Sequence, residues 1–127
     1  MALINKQDNL FINDSRFLKG MKLFNSCQWY ESHDVFEEIW HETSGSERQF
    51  LQAIVQVAVA QVHLENGNRN GATILYGEAL GRLKKSKLVD SGLDVEKLCE
   101  CITKRLESLQ IGQDLSSCGD PLLNFIS

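Results

Sequence analysis

"FLQAIVQVAVAQVHLE", residues 50–65, is apolar on nearly every side. No stretch of the chain, this one included, keeps up the alternation that a half-buried strand requires. A helix that is hydrophobic all round has to be enclosed by its neighbours, so residues 50–65 read as the central rod of an all-α fold. One narrow polar stripe interrupts the rod, because Gln52, Gln56 and His63 fall within about 40° of one another at 100° per residue. A polar group in such surroundings needs a hydrogen-bond partner, since leaving it unpaired costs roughly 1–3 kcal/mol. Those partners are expected on a facing helix.

Outward from the rod, four more helices are predicted. Asn13 or Asp14 can cap a first helix over about 15–26, carrying Phe17, Leu18, Met21 and Phe24 inward. A second runs from about Trp29 to Glu42 and ends in "TSGS". Ser46 and Gln49 have capping-box spacing for the central helix, which "NGN" at 66–68 then stops. A fourth spans about Arg69 to Ser86, with Lys84 and Lys85 in its last turn where the helix dipole favours cations. After the loop "LVDSGLD", Asp94 can cap a fifth, on which Val95, Leu98, Ile102, Leu106 and Leu109 recur at helical spacing. The tail from Gln110 onward holds Pro121 and an apolar end, "LLNFIS", expected to dock on the domain.

The reading is therefore an all-α bundle of about five helices, built from antiparallel helical hairpins. It is taken as a single domain over 1–127, with its core at about 14–109 and a tail at 110–127. A faint repeat at an offset of 40 lays Ser32 on Ala72, Phe36 on Tyr76, Glu38 on Glu78 and Trp40 on Leu80. "GNRNGATILYGEAL" has weak tetratricopeptide-like similarity, although two copies fall short of the roughly three that a solenoid needs.

On the second helix, Val35, Ile39, Ser32, Phe36, Trp29 and Trp40 share a core arc, while Asp34, Glu38, Glu31 and Glu42 take the far side. His33 and Glu37 sit on the margin between the two, with Tyr30 and His41 next to them. That margin is the best partner for the polar stripe, and the candidate polar cluster is Glu31, His33, Glu37, Trp40, Gln52, Gln56 and His63. Its plainest role is a hydrogen-bond network that fixes how the second and third helices pack. Two chemical alternatives attach to it. His33 and Glu37, four residues apart, could act as a general acid–base couple of a hydrolase-type enzyme, or join His63 as weak metal candidates. Glu38-x-x-His41 has the spacing of di-iron bundles, but such sites need a second E-x-x-H helix and the chain has none.

Several of these residues carry a resemblance. Tyr30, Glu31, His33 and Asp34, then Glu37, Glu38 and Trp40, then Gly45 and Arg48, are followed by Phe50-Leu51-Gln52, Ile54, Gln56, Ala58 and His63, and close with Gly67-Asn68, Gly71-Ala72 and Leu75. Over roughly residues 17–83 this pattern resembles the family known as domain of unknown function 309. The resemblance implies a small all-helical bundle with no established activity. Ala53 departs from it, at a position where many members are expected to carry glycine.

Composition narrows the function classes. The 127 residues are 43% hydrophobic and 24% charged, with a formal charge of -4. That acidic balance argues against a nucleic acid or an anionic membrane as partner. "MALINKQDNLF" lacks the basic start and apolar core of a secretory signal, and no run approaches the roughly 18 apolar residues of a membrane span, so a cytoplasmic protein is expected. Cys27, Cys99, Cys101 and Cys118 show no C-x-x-C spacing and read as free thiols. No cofactor is expected. On the fourth helix Gly77 and Gly81 lie beside Ile74, opposite the core arc of Leu75, Ala79, Ala72, Leu83, Tyr76 and Leu80. Two glycines inside a helix cost roughly 1 kcal/mol each relative to alanine, so close packing there is expected from the fifth helix or the tail, or else from a protein partner or a homo-oligomer. Taken together, these features favour a binding or assembly module over an enzyme.

Overall fold

Asp14 sets the first helix boundary, because its carboxylate accepts the Arg16 backbone N–H at 2.9 Å and so answers one of the donors that a helix start leaves open. The computed structural model describes residues 11–86 and 92–126. A 3-10 turn at Phe11–Asn13 leads into α1 (Ser15–Asn25), α2 (Trp29–His41), α3 (Gly45–Glu65), α4 (Arg69–Ser86) and α5 (Val95–Gln110). These are the five helices of an all-α bundle. The N-terminal stretch read above lies outside the described residues except for Phe11, as does the loop "LVDSGLD" before Gly92.

α3 is the centre of the bundle. It packs most extensively against α4 on one side and α2 on the other, while α1 covers α2 and α5 covers α4. Phe50, Leu51, Ala53, Ile54, Val57, Ala58 and Ala60 are buried along it. α4 runs antiparallel to α3, since Gln56 meets Glu78 and Gln49 meets Arg82. Gly67, at φ +76, makes the turn between them, and Asn68 caps α4 by accepting the Gly71 N–H at 2.9 Å.

Two details of the sequence reading change. The capping box at Ser46 and Gln49 does not form: α3 begins at Gly45, its N-cap Ser44 makes no side-chain cap bond, and the Gln49 Oε1 instead accepts from Arg82 at 2.8 Å. A charged donor on the facing helix outcompetes a neutral backbone N–H. Leu18 is 48% exposed, because the inward stripe of α1 is Phe17, Gly20, Met21 and Phe24, and Leu18 falls beside it.

Aromatic rings seal α1 to α2. Phe24 meets Trp29 edge-on at 4.9 Å between ring centroids, and Phe17 lies 5.5 Å from Phe36. Gly20 lets the two helices approach this closely, since a Cβ there would stand 2.5–2.9 Å from three ring carbons of the fully buried Phe36.

The tail lies against both ends of the chain's helical part. Asn25 grips Leu123, donating to its carbonyl at 2.9 Å and accepting its N–H at 2.8 Å. Leu93 and Phe125 form an isolated antiparallel bridge, and Pro121 and Leu123 are buried. Arg105, 6% exposed, reaches from α5 to the Tyr76 hydroxyl at 2.9 Å and to the Gly119 carbonyl. All four cysteines are free. No helix among the described residues is long and apolar enough to cross a membrane.

Two outcomes follow from this packing. Gly20→Ala gains about 1 kcal/mol of helix propensity but overpacks Phe36 at roughly 1–3 kcal/mol, so urea unfolding should show a net loss of about 1–2 kcal/mol. Burial pushes the Tyr76 hydroxyl from 10.0 up to about 12, against the opposing pull of Arg105 and with minor repulsion from Cys101 and Asp120. A raised folded value means that the protonated tyrosine stabilises the fold fully below pH 10, and that this contribution disappears as pH rises toward 12. Denaturant titrations across that interval should show a stability decline that Tyr76→Phe removes.

Candidate functional site

The antiparallel pairing of α2 with α3 faces the α2 margin toward the polar stripe. Glu37, Trp40, Gln52, Val55 and Gln56 line a cavity of about 190 Å³ between the two helices. Behind it, Glu37 Oε2 lies 2.7 Å from His33 Nε2, and its Oε1 lies 3.8 Å from His41 Nε2. The other ring nitrogen of His33 is 3.3 Å from Asp34. His33 and Glu37 are thus one turn apart on the same face, close enough to pass a proton between them. Arg48, in the first turn of α3, stacks its guanidinium 4.1 Å from the Trp40 ring centre, a cation–π contact that holds the indole against the cavity.

The wall of this cavity is mainly apolar, and two polar atoms on its residues are unsatisfied. Gln56 Nε2 donates to Glu78 on α4 at 2.7 Å, which fixes the orientation of the amide. Its Oε1 is buried with no hydrogen-bond partner, and so is the Trp40 Nε1 donor. Each such group costs roughly 1–3 kcal/mol.

The sequence-derived cluster divides. Glu37, Trp40, Gln52 and Gln56 surround the cavity, and His33 supports Glu37 from behind. His63 is not with them: its Nδ1 accepts from the Asn68 amide at 3.2 Å, about two helical turns, or roughly 10 Å, beyond Gln56. Its end of α3 serves the turn into α4. Glu31 is exposed in the first turn of α2. His33, Glu37 and His63 consequently form no ligand set, and among the described residues no group of three or more His, Cys, Asp or Glu could hold a metal ion.

Some polar residues escaped the sequence reading. Gln61, 5% exposed, is buried on α3 with its Oε1 unpartnered, and the Arg82 Nε next to Gln49 is likewise buried and unpartnered. Arg105 occupies a core position on α5 with Leu98, Ile102 and Leu109. That 98-102-105-109 spacing was the available signal. Leu106, expected on the same stripe, does pack against the core, and Arg105 beside it is buried more deeply.

A second cavity, about 280 Å³, lies between α5 and the tail, lined in part by Cys101, Lys104, Cys118 and Asp120. Burial pushes the Cys101 thiol up. None of the buried unpartnered atoms among the described residues belongs to its lining. Among the described residues the α4 face of Gly77, Gly81 and Ile74 is open: a Cβ on either glycine would meet none of them within 4 Å, and Ile74 is 62% exposed. Neither α5 nor the tail covers it, which corrects the expectation of internal packing there. Tyr76 meets Arg105 of α5 from the core side of α4, and the glycines fall on the far side.

Comparison with known proteins bears on this region. The sequence model of the family described as Domain of unknown function (DUF309) matches residues 17–75, and the chain resembles that family from α1 into α4. No curated protein matches the chain. The matched segment contains every residue that lines the α2–α3 cavity and stops short of Glu78, α5 and the tail.

A direct check concerns Gln56. Replacing it with leucine keeps its volume, removes the unpartnered acceptor and forfeits only an exposed bond to Glu78. Gln56→Leu should therefore raise the unfolding free energy by about 1 kcal/mol in urea titrations.

Proposed function

We propose that the protein is a binding module whose recognition site is the cavity between α2 and α3. One observation carries this reading. A donor, Trp40 Nε1, and an acceptor, Gln56 Oε1, stand buried and unpartnered on residues that line one cavity. Unpartnered buried atoms also occur on Gln61 and Arg82, away from the cavity, so the reading rests on the coincidence of such atoms here with a concave space lined by Glu37, Gln52 and Val55. The price in stability is borne by α3, whose burial holds both walls rigid. His33 orients the Glu37 carboxylate from behind, leaving its second oxygen toward His41 only at 3.8 Å. The open face of Gly77, Gly81 and Ile74 is a separate surface suited to a protein partner or a second copy. A cytoplasmic setting accords with the acidic composition and the unpaired thiols.

The test is a titration of the isotope-labelled chain with acetamide, guanidinium, imidazole, acetate and inorganic phosphate, followed by NMR. At least one probe should shift resonances centred on Trp40 and Gln56. Glu37→Gln should weaken that response while changing the unfolding free energy by less than about 1 kcal/mol, because the Glu37 side chain is 42% exposed. Shifts gathered instead around Cys101 and Cys118, or no response to any probe, would sink the reading.

A further inference from the structure

The C-terminal tail leaves one edge of its backbone open. In the antiparallel bridge between Leu93 and Phe125, the Asp94 N–H donates to the Asn124 carbonyl at 2.8 Å and the Ile126 N–H to the Gly92 carbonyl at 2.7 Å. That pattern makes Leu93 and Phe125 a non-hydrogen-bonded pair, so the N–H and C=O of Phe125 itself point away from residues 92–94. Along an extended chain the same edge recurs at every second residue. Two positions earlier, that edge is the Leu123 N–H and C=O, which the Asn25 side chain of α1 holds at 2.8 and 2.9 Å. The Phe125 N–H and C=O therefore face the α1 side as well, and they have no hydrogen-bond partner among the described residues.

A groove of about 450 Å³ lies there, between Leu18, Met21 and Lys22 of α1 and Leu123 and Phe125 of the tail. Its two walls carry half-exposed apolar side chains, Leu18 at 48% and Phe125 at 46%. The α1 wall runs from Leu18 to Ser26, about 12 Å of helix, which matches roughly four residues of extended chain. Among the described lining residues Lys22 alone is charged, and it is exposed. An occupant that answers all of this brings a backbone N–H and C=O for Phe125, apolar side chains for the walls and a negative charge for Lys22. A helix does not qualify, because its own N–H and C=O groups are already paired with each other. We infer that the groove receives a short extended segment of a partner protein, apolar at alternate positions and acidic between them, which adds as a further strand beside residues 123–125. Strand addition of this kind draws affinity from main-chain hydrogen bonds and specificity from alternate side chains.

The experiment follows the backbone amides of Leu123 and Phe125 by NMR in the isotope-labelled full chain. The parent probe is the peptide acetyl-Val-Glu-Val-Glu-Val-amide. It is compared with its lysine counterpart, acetyl-Val-Lys-Val-Lys-Val-amide, and with two forms N-methylated on either the valine or the glutamate nitrogens. The acidic peptide should give a saturable shift at Phe125 and bind several-fold tighter than the basic one, and Lys22→Glu, at an exposed position, should reverse that order. One of the two N-methylated forms should bind about tenfold more weakly than the parent, because a single edge of the peptide meets Phe125. Undiminished binding by both N-methylated forms overturns the backbone pairing, and equal binding by the acidic and basic peptides overturns the charge assignment. A shift at Phe125 that grows with protein concentration in the absence of peptide assigns the groove to a second copy of the chain. Tighter binding by the peptide MALINKQDNL assigns it to the chain's own residues 1–10, and either result overturns the partner protein. Silence at Phe125 with every peptide overturns this inference and leaves the α2–α3 reading standing, since Trp40 and Gln56 report that site separately.

Discussion

Burial of α3 is the constraint on which the rest depends. A 21-residue helix with apolar groups on every side is soluble only when wrapped, so α2 and α4 must flank it and α1 and α5 must back those flanks. The same wrapping decides what each polar residue on α3 meets. Gln49 finds Arg82 and Gln56 finds Glu78, both charged partners on α4, while the amide oxygen of Gln56 is left without a partner. The cavity lies where this wrapping leaves a partly open gap between α2 and α3.

The fold was legible because apolar periodicity is dense and helix punctuation is explicit. Asp14 and Asp94 cap the helices that the sequence assigns to them through side-chain bonds to backbone N–H groups, while Asn68, expected to stop α3, caps the start of α4. The errors came where a nonlocal partner outbid a local one. Ser46 and Gln49 have a local capping pattern, and Arg82, 33 residues away, overrides it. Leu18 is apolar but lies one wheel step from the stripe set by Gly20, a residue whose value is the side chain it lacks.

The site was legible in part. A wheel places Glu37 and Gln52 on facing margins, and this needs only the register of two antiparallel helices. His63 shares their angle but not their height, and a projection down the helix axis discards height. The unpartnered state of Trp40 Nε1 could not be read at all, because it depends on Arg48 covering the ring while offering nothing to its edge. Arg105 marks the opposite case, a charge whose core spacing was visible and whose partner Tyr76 was read only as packing.

The Asn25 grip on Leu123 spans 98 positions of the chain. Successive helices pair with close neighbours, contacts that a growing chain makes as soon as each hairpin emerges. The Arg105 bond to Gly119 and the Asn25 bonds to Leu123 form only once residues 119 and 123 have been added. A chain that ends after α5 therefore leaves Arg105 without its Gly119 acceptor and the bundle without the buried Pro121 and Leu123. Removing residues 119–126 would take away both tethers together with the cover that Pro121 and Leu123 give the bundle.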